Sequence, residues 1–311
     1  MKILITGGGG FQGSHLAEFL VKEGHTISVL NTYSENSKKN LSSIINKINL
    51  IWGSVTDKEI VDKSVRGHEV VFHLAGHGNV DESMKDPRGF IEANVLGTYN
   101  IFEACRKYNS RLILTSTSEV YGDGHDEKMD GLINETAELK PNNPYASSKA
   151  AADRIAYSYF RSFDLDVTIV RPFNIFGERQ KSGLFGALIP IIVDRALRGQ
   201  ELIIFGDGTA ERDYCHIDDA VRAYYLVLNN SNLKGKSINF ASGKSTQVRE
   251  IVEYVARKFD AKIVNGPARH GEVMRIPADI SFAKSLGYIP KISIWEGIDR
   301  YIEWAKKQPK D

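Results

Sequence analysis

Four consecutive glycines, Gly7 to Gly10, follow directly on the apolar run Lys2 to Thr6, and a helical pattern from Phe11 to Lys22 follows directly on them. A strand, a glycine turn and a helix in immediate succession fold in few ways, because the helix N-terminus is then held at the carboxyl end of the strand with bare backbone between them. Short apolar, β-branched runs recur at 26–30, 49–52, 69–74, 111–115 and 167–171, with helical patterns between them. Strands of continuous apolar character suit a sheet covered on both faces, and intervening helices suit parallel crossovers. The predicted fold class is α/β, a doubly wound parallel sheet.

Beyond Pro172 the rhythm changes. A helix is predicted over 184–197, a strand over 202–205 and a second helix over 217–228, with longer loops between them. This divides the chain into a larger domain over 1–172 and a smaller one over 173–311. The run Ser237 to Phe240 is apolar enough to rejoin the main sheet, so segments near 212–242 are expected to return to it and the domains to interleave. The polar stretch Asp123 to Lys140 reads as one long loop.

Composition excludes several classes. Lys plus Arg number 40 against 39 for Asp plus Glu, a net charge of +1 that gives no reason to expect nucleic acid or an anionic membrane as partner. No apolar run approaches the roughly 18 residues of a membrane span, and the first residues lead straight into the glycines without a leader pattern, so a cytoplasmic protein is expected. Cys105 and Cys215 lie far apart and outside any paired spacing, which reads as two buried thiols with no disulfide and no metal site.

Within the glycine run, Gly7, Gly10 and Gly13 have the G-x-x-G-x-x-G spacing. Glycine is needed there because side chains would hold backbone N–H groups away from a pyrophosphate, and the dipole of the following helix favours the anion. The second strand ends in Leu30-Asn31-Thr32-Tyr33, with Asn31 where an acidic residue ordinarily binds both ribose hydroxyls of NAD. Asparagine keeps one ribose contact and repels a 2'-phosphate less, and Lys38 and Lys39 stand nearby. The expected cofactor is NAD, with NADP left open.

After the fifth run comes Thr115-Ser116-Thr117-Ser118-Glu119-Val120-Tyr121-Gly122, which sets hydroxyls and a carboxylate at the carboxyl edge of the sheet. Asn143-Pro144 then caps and opens a helix carrying Tyr145 and Lys149 one turn apart on one face. A free phenol titrates near pH 10, so a tyrosine base needs help; an adjacent ammonium and a helix N-terminus both favour the phenolate.

These segments together resemble the extended short-chain dehydrogenase/reductase family, the nucleotide-sugar epimerases and dehydratases, over nearly the whole chain. Thr6-Gly7-Gly8-Gly9-Gly10-Phe11-Gln12-Gly13 is similar to its cofactor loop, His73-Leu74-Ala75-Gly76 to its fourth-strand motif, Asn94-Val95-Leu96-Gly97-Thr98 to its next helix and Tyr145-x-x-x-Lys149 to its catalytic pair. Gln12, where isoleucine is usual, and Ser54, where an aspartate often holds adenine, depart from the pattern. The resemblance implies a Rossmann-type fold with NAD held by Gly7, Gly10, Phe11, Gln12, Gly13, Asn31, Ser54, Val55, Leu74, Ala75, Gly76, Asn94, Tyr145, Lys149 and Phe173. Downstream, Arg171-Pro172-Phe173-Asn174, Leu188-Ile189-Pro190, Arg212-Asp213-Tyr214 and Arg269-His270-Gly271-Glu272 are similar to the family's nucleotide-diphosphate segments. Thr117, Asn174, Leu188, Phe205, Arg212 and Arg269 are the implied substrate contacts, with arginine suited to a diphosphate by its two-pronged fork.

The implied chemistry begins with Tyr145 taking the proton of a sugar 4-hydroxyl, assisted by Thr117, while nicotinamide takes the C4 hydride and Lys149 holds the nicotinamide ribose. The resulting 4-keto sugar is a branch point. A 4-epimerase only returns the hydride to the other face, whereas a 4,6-dehydratase must also remove the C5 proton and expel the C6 hydroxyl. Glu119 after Thr117-Ser118 is similar to dehydratases and to uronate decarboxylases, where epimerases more often have a small neutral residue. Glucose-type dehydratases tend to carry aspartate at Ser118, while the mannose type has serine or threonine. The expected function is a nucleotide-diphosphate-hexose 4,6-dehydratase, with 4-epimerase and UDP-glucuronate decarboxylase as alternatives; a catalytically silent dinucleotide sensor would ordinarily have lost the tyrosine and lysine. The family also implies a homodimer packed through helices near 93–108 and 144–163.

Overall fold

The computed structural model describes residues 1–122, 131–182, 186–268 and 274–308. Six strands precede residue 173: β1 (Lys2–Thr6), β2 (Thr26–Asn31), β3 (Ile48–Trp52), β4 (Val70–His73), β5 (Arg111–Thr115) and β6 (Val167–Pro172). With Ser237–Phe240 they form a seven-stranded parallel sheet in the order Ser237–Phe240, β6, β5, β4, β1, β2, β3. The chain runs outward from β1 to β3 and resumes on the other side of β1 at β4, which makes the gap between β1 and β4 the switch point where such sheets bind ligands at their carboxyl ends.

The pattern of burial explains the architecture. Strand β4 is buried at every residue, β6 likewise, and β1 at all but its first, as strands covered on both faces must be. One face is packed by the glycine-loop helix Phe11–Lys22 and the helix Ile217–Leu228, through Leu16, Leu20, Phe72 and Tyr224. The other is packed by Gly97–Tyr108 and Pro144–Phe163, through Phe102, Cys105, Leu114, Ala156 and Tyr159. Both cysteines are buried and free.

The C-terminal part has an apolar cluster of its own. Ile189, Val193, Ile204, Val252 and Ile298 join the helices Leu188–Leu197, Val248–Phe259 and Ile294–Lys306 to the parallel pair Leu202–Phe205 and Ile263–Gly266. The first of these helices begins at Leu188, later than the predicted start: Gly186 is not helical and Ala187 is its extended N-cap, while Leu184 and Phe185 lie outside the described residues. The apolar run Ser237–Phe240 returns to the main sheet beside β6, with Ile238 opposite Val170. A small sheet of Ser245–Gln247, Glu211–Asp213 and Arg275–Ile276 carries Arg212. Of the predicted loop, 123–130 lie outside the described residues; the remainder carries one isolated bridge, Ile133 to Ala278. Among the described residues no helix is long and apolar enough to cross a membrane, and no cluster of ligating side chains could hold a metal.

Candidate active site

The glycine turn is shaped by close approach. Gly7 has φ +71° and a Cβ there would lie 2.7 Å from the Ala75 nitrogen, while a Cβ on Gly13 would lie 2.3 Å from the Gly7 carbonyl oxygen. Gly10 caps the helix without a side chain, and the first intrahelical bond runs from the Ser14 N–H to the Gly10 carbonyl at 3.0 Å. The N–H groups of Phe11, Gln12 and Gly13 therefore stand ahead of the helical ladder at a bare, positively polarised helix end. This backbone cradle fits a dinucleotide pyrophosphate.

The adenosine side is more committed than its sequence suggests. The Asn31 oxygen accepts the Gly9 N–H at 3.0 Å, and its amide nitrogen donates to the Thr32 carbonyl at 2.6 Å and the Ser37 hydroxyl at 3.0 Å. Asn31 thus has acceptor capacity left for a ribose hydroxyl but no spare donor. Ser54 bonds Thr56, and Val55 is buried against Gly97. Lys39 reaches Gln308 at 3.0 Å. At the β4 end, Leu74 and Ala75 are half-buried and Gly76 is exposed. Asn94, on a short π-helical segment, spends its oxygen on the His77 N–H at 2.8 Å and its nitrogen on the His77 carbonyl at 3.0 Å and the Ser148 hydroxyl at 2.9 Å. It fixes the segment after Gly76 to the Tyr145 helix.

Thr115 ends β5 and Thr117 caps the short turn Ser118–Tyr121, its hydroxyl accepting the Glu119 N–H at 3.3 Å. Opposite, the Asn143 side chain caps the helix Pro144–Phe163 by accepting the Ala146 N–H at 2.8 Å, which fixes Tyr145 in the first turn and Lys149 in the second. Tyr145 meets Phe90 edge-on, ring centroids 6.2 Å apart, and Phe90 meets His77 at 5.2 Å. Burial pushes the Tyr145 phenol up to about 12; a hydrogen bond from Thr117 pulls it down and the nearby Glu119 carboxylate pushes it up again. Glu119 is half-buried and Ser118 fully buried.

The expected effect of Lys149 on Tyr145 is not what the geometry shows in the protein alone. The Lys149 Nζ donates to the Thr115 main-chain carbonyl at 2.6 Å. Burial pushes that ammonium down to about 8, opposed by Asp153. Withdrawal from water disfavours phenolate and ammonium alike, so the pair rests nearer its neutral forms than its motif implies.

One turn beyond Lys149 stands a group the sequence reading missed. Asp153 is fully buried and takes a two-pronged bond from Arg171, 2.8 Å from Nε and 2.9 Å from Nη2. The remaining Arg171 nitrogen donates to the Tyr121 hydroxyl and the Glu135 carbonyl. Arg171 is 1% exposed, so its fork is spent inside the core and is closed to a diphosphate. The i, i+4 spacing from Lys149 to Asp153 was the signal available. Phe173, next in the same motif, is also fully buried, against Tyr121.

The expected substrate contacts lie on three segments. Asn174 and Leu188 are half-buried, with the Asn174 amide donating to the Asp213 carbonyl at 3.3 Å, and Phe205 ends its strand half-buried. Arg212 is half-buried and bonds the carbonyl of its neighbour Glu211 at 2.8 Å. Arg269 lies outside the described residues.

A strand, glycine cradle and helix at a switch point, with a Tyr-x-x-x-Lys helix across from a hydroxyl-rich strand end, are matched by one family model, "NAD dependent epimerase/dehydratase family", over residues 3–241. The chain belongs to this family. It is 33% identical to a UDP-N-acetyl-alpha-D-glucosaminuronate decarboxylase of Bacillus cytotoxicus, covering 100% of this chain and 99% of that one. It is also 33% identical to a dTDP-glucose 4,6-dehydratase of Mycolicibacterium smegmatis, covering 98% and 93%. A Thermus thermophilus UDP-glucose 4-epimerase, solved in complex with NAD, superposes with a TM-score of 0.89 at 29% identity, covering 99% of each chain. These relatives carry three different activities at nearly equal likeness, so the choice among reactions falls to individual residues.

Proposed function

We propose that this enzyme is a nucleotide-diphosphate-hexose 4,6-dehydratase, and the observation that carries the reading is a carboxylate, Glu119, close enough to Tyr145 to raise its pKa. Tyr145, as phenolate, takes the proton of the sugar 4-hydroxyl, and Thr117 shares that hydrogen bond. NAD, when bound, supplies the acceptor for the C4 hydride and its donor for the return. Lys149 holds the nicotinamide ribose and brings positive charge to the phenolate; Asp153 one turn on favours its protonated form. In the 4-keto sugar the C5 hydrogen is acidified by the adjacent carbonyl. Glu119 removes it, the electron pair forms the C5–C6 double bond, and the C6 hydroxyl leaves as water by taking up that proton from Glu119. The hydride taken from C4 then returns to C6 while C5 regains a proton, leaving a 4-keto-6-deoxy sugar. Arg212, with Arg269, is assigned to the substrate diphosphate, and Asn174, Leu188 and Phe205 to the nucleotide sugar around it.

A second reading has one residue in its favour. Ser118 is 2% exposed and is not an acid able to protonate a departing C6 hydroxyl. A 4-keto uronate is a β-keto acid and loses carbon dioxide without such an acid, which is the chemistry of a UDP-uronate decarboxylase. Incubation with UDP-, dTDP-, GDP- and CDP-hexoses and UDP-uronates, read by product mass, separates the readings. Loss of water is expected; loss of carbon dioxide selects the second reading, and conversion without a mass change selects a 4-epimerase.

The assembly proposed is a homodimer. Leu96, which caps the helix Gly97–Tyr108, and Tyr99 within it, with Tyr157 and Phe163 on Pro144–Phe163, are large apolar side chains 44–54% exposed on adjacent helices. Sedimentation equilibrium should give twice the chain mass; a monomer at micromolar concentration would remove this part of the reading.

A further inference from the structure

Gln12 stands where this family usually has isoleucine, and its side chain is held. The Tyr224 hydroxyl, from the helix Ile217–Leu228, lies 3.0 Å from the Gln12 Oε1 and donates to it. The same hydroxyl lies 3.1 Å from the Thr115 hydroxyl, whose proton completes the sequence Thr115 to Tyr224 to Gln12. Tyr224 is 1% exposed and wedged edge-on against Phe72, so it has little freedom to make these bonds elsewhere. Thr115 is also the residue whose main-chain carbonyl receives the Lys149 ammonium. Three hydrogen bonds through two residues, Tyr224 and Thr115, therefore link the first turn of the glycine-loop helix to the catalytic lysine, across the carboxyl end of the sheet.

The linkage fixes more than distance. A carboxamide whose oxygen faces Tyr224 turns its two N–H donors the other way, and among the described residues none accepts from them. Gln12 is half-buried in the first helical turn, beside the backbone cradle. We propose that Gln12 is a cofactor-binding side chain, oriented by Tyr224 as a positioning residue, and that its amide N–H donates to an acceptor oxygen of the dinucleotide next to the glycine loop. An isoleucine there could offer contact but no donor. The inference rests on the reading of the glycine loop as the NAD site.

The test is calorimetric titration of NAD into the unmodified protein and into Gln12→Leu, Tyr224→Phe and the double variant, with melting temperature followed throughout. Gln12→Leu should weaken NAD binding about three- to tenfold, the worth of a neutral hydrogen bond. Tyr224→Phe should weaken it by a smaller factor, because the donor remains but is no longer aimed. The double variant should match Gln12→Leu alone, since Tyr224 acts on the cofactor only through Gln12. Gln12→Glu, which still accepts from Tyr224 but cannot donate, should bind at least as weakly as Gln12→Leu. Unchanged affinity in Gln12→Leu and Gln12→Glu, or multiplicative losses in the double variant, would overturn the proposal. A lowered melting temperature with unchanged affinity would leave Tyr224 a packing residue only and would also overturn it. If the unmodified protein, shown to be free of nucleotide, took up no NAD, the cofactor reading itself would fail.

Discussion

Two neighbouring parts of one helix treat buried charge in opposite ways. At its third turn, Asp153 and Arg171 are taken out of water and paired by a two-pronged bond, with Tyr121 and the Glu135 carbonyl using the remaining guanidinium donor. In its first two turns, Tyr145 and Lys149 are half-buried, among the described residues no oppositely charged group is bonded to either, and the phenol rises to about 12 while the ammonium falls to about 8. A paired charge is structure. A titratable group left short of a partner can take up or release a proton when a ligand changes its surroundings, which is what acid-base chemistry requires.

The contrast is broken most severely by removing one partner of the pair. Asp153→Ala leaves the Arg171 guanidinium buried and uncompensated, and should cost about 3–5 kcal/mol of stability in urea unfolding. Replacement of both, Asp153→Leu with Arg171→Met, should recover much of that loss. A change under about 1 kcal/mol in the single variant would show that water reaches Arg171 and that the pair is not the strut described here.

At the other end of the helix, Tyr145→Phe should leave unfolding almost unchanged and reduce turnover by about 100- to 1000-fold, the contribution of a positioned acid-base group. Near-normal turnover would falsify the assignment. Arg212→Ala sharpens the same contrast in a second arginine. Unlike Arg171 it has, among the described residues, a neighbouring carbonyl as its one hydrogen-bond partner, so its loss should spare stability and weaken nucleotide-sugar binding by about 10- to 100-fold, with NAD binding unchanged. Calorimetry giving weaker NAD binding and unchanged sugar binding would move this arginine to the cofactor.

A smaller effect follows from Lys149. Its folded pKa lies below the usual 10.5, so between about pH 8 and 10.5 the unfolded chain holds a proton that the folded chain has released. Stability contributed at this site therefore rises with pH across that window and is flat below it. Lys149→Met should abolish the rise, seen as a difference between the two proteins in urea midpoints at pH 7.5 and 10. Parallel pH dependence in the two would place the ammonium in water.

Much of this was legible in the sequence. Continuous apolar runs and the glycine turn specify the parallel sheet and its switch point, because burial on both faces and close backbone approach leave few alternatives. Tyr145, Lys149 and the cap that orients them are close together in the chain. The buried strut was not legible, since Arg171 belongs to a segment that also describes ligand contacts, Asp153 belongs to no motif, and only the fold shows which arginine is enclosed. Tyr224 and Gln12 lie 212 positions apart, and no periodicity joins them. Asn94 and Asn31 read as ligand contacts by position, yet the folded chain turns most of their hydrogen-bonding capacity inward.

The choice of reaction rests on Glu119, and Glu119→Gln with a hexose substrate is its most direct test. Glutamine keeps the size and much of the hydrogen bonding of glutamate but cannot remove a proton. With Tyr145, Thr117 and Lys149 intact, C4 oxidation should proceed and elimination should stop. Reduced nicotinamide should then accumulate on the enzyme by absorbance, with no dehydrated sugar and little solvent deuterium entering C5. A variant that still interconverts C4 epimers, alongside an unmodified enzyme that releases no water from any sugar offered, would contradict the dehydratase reading.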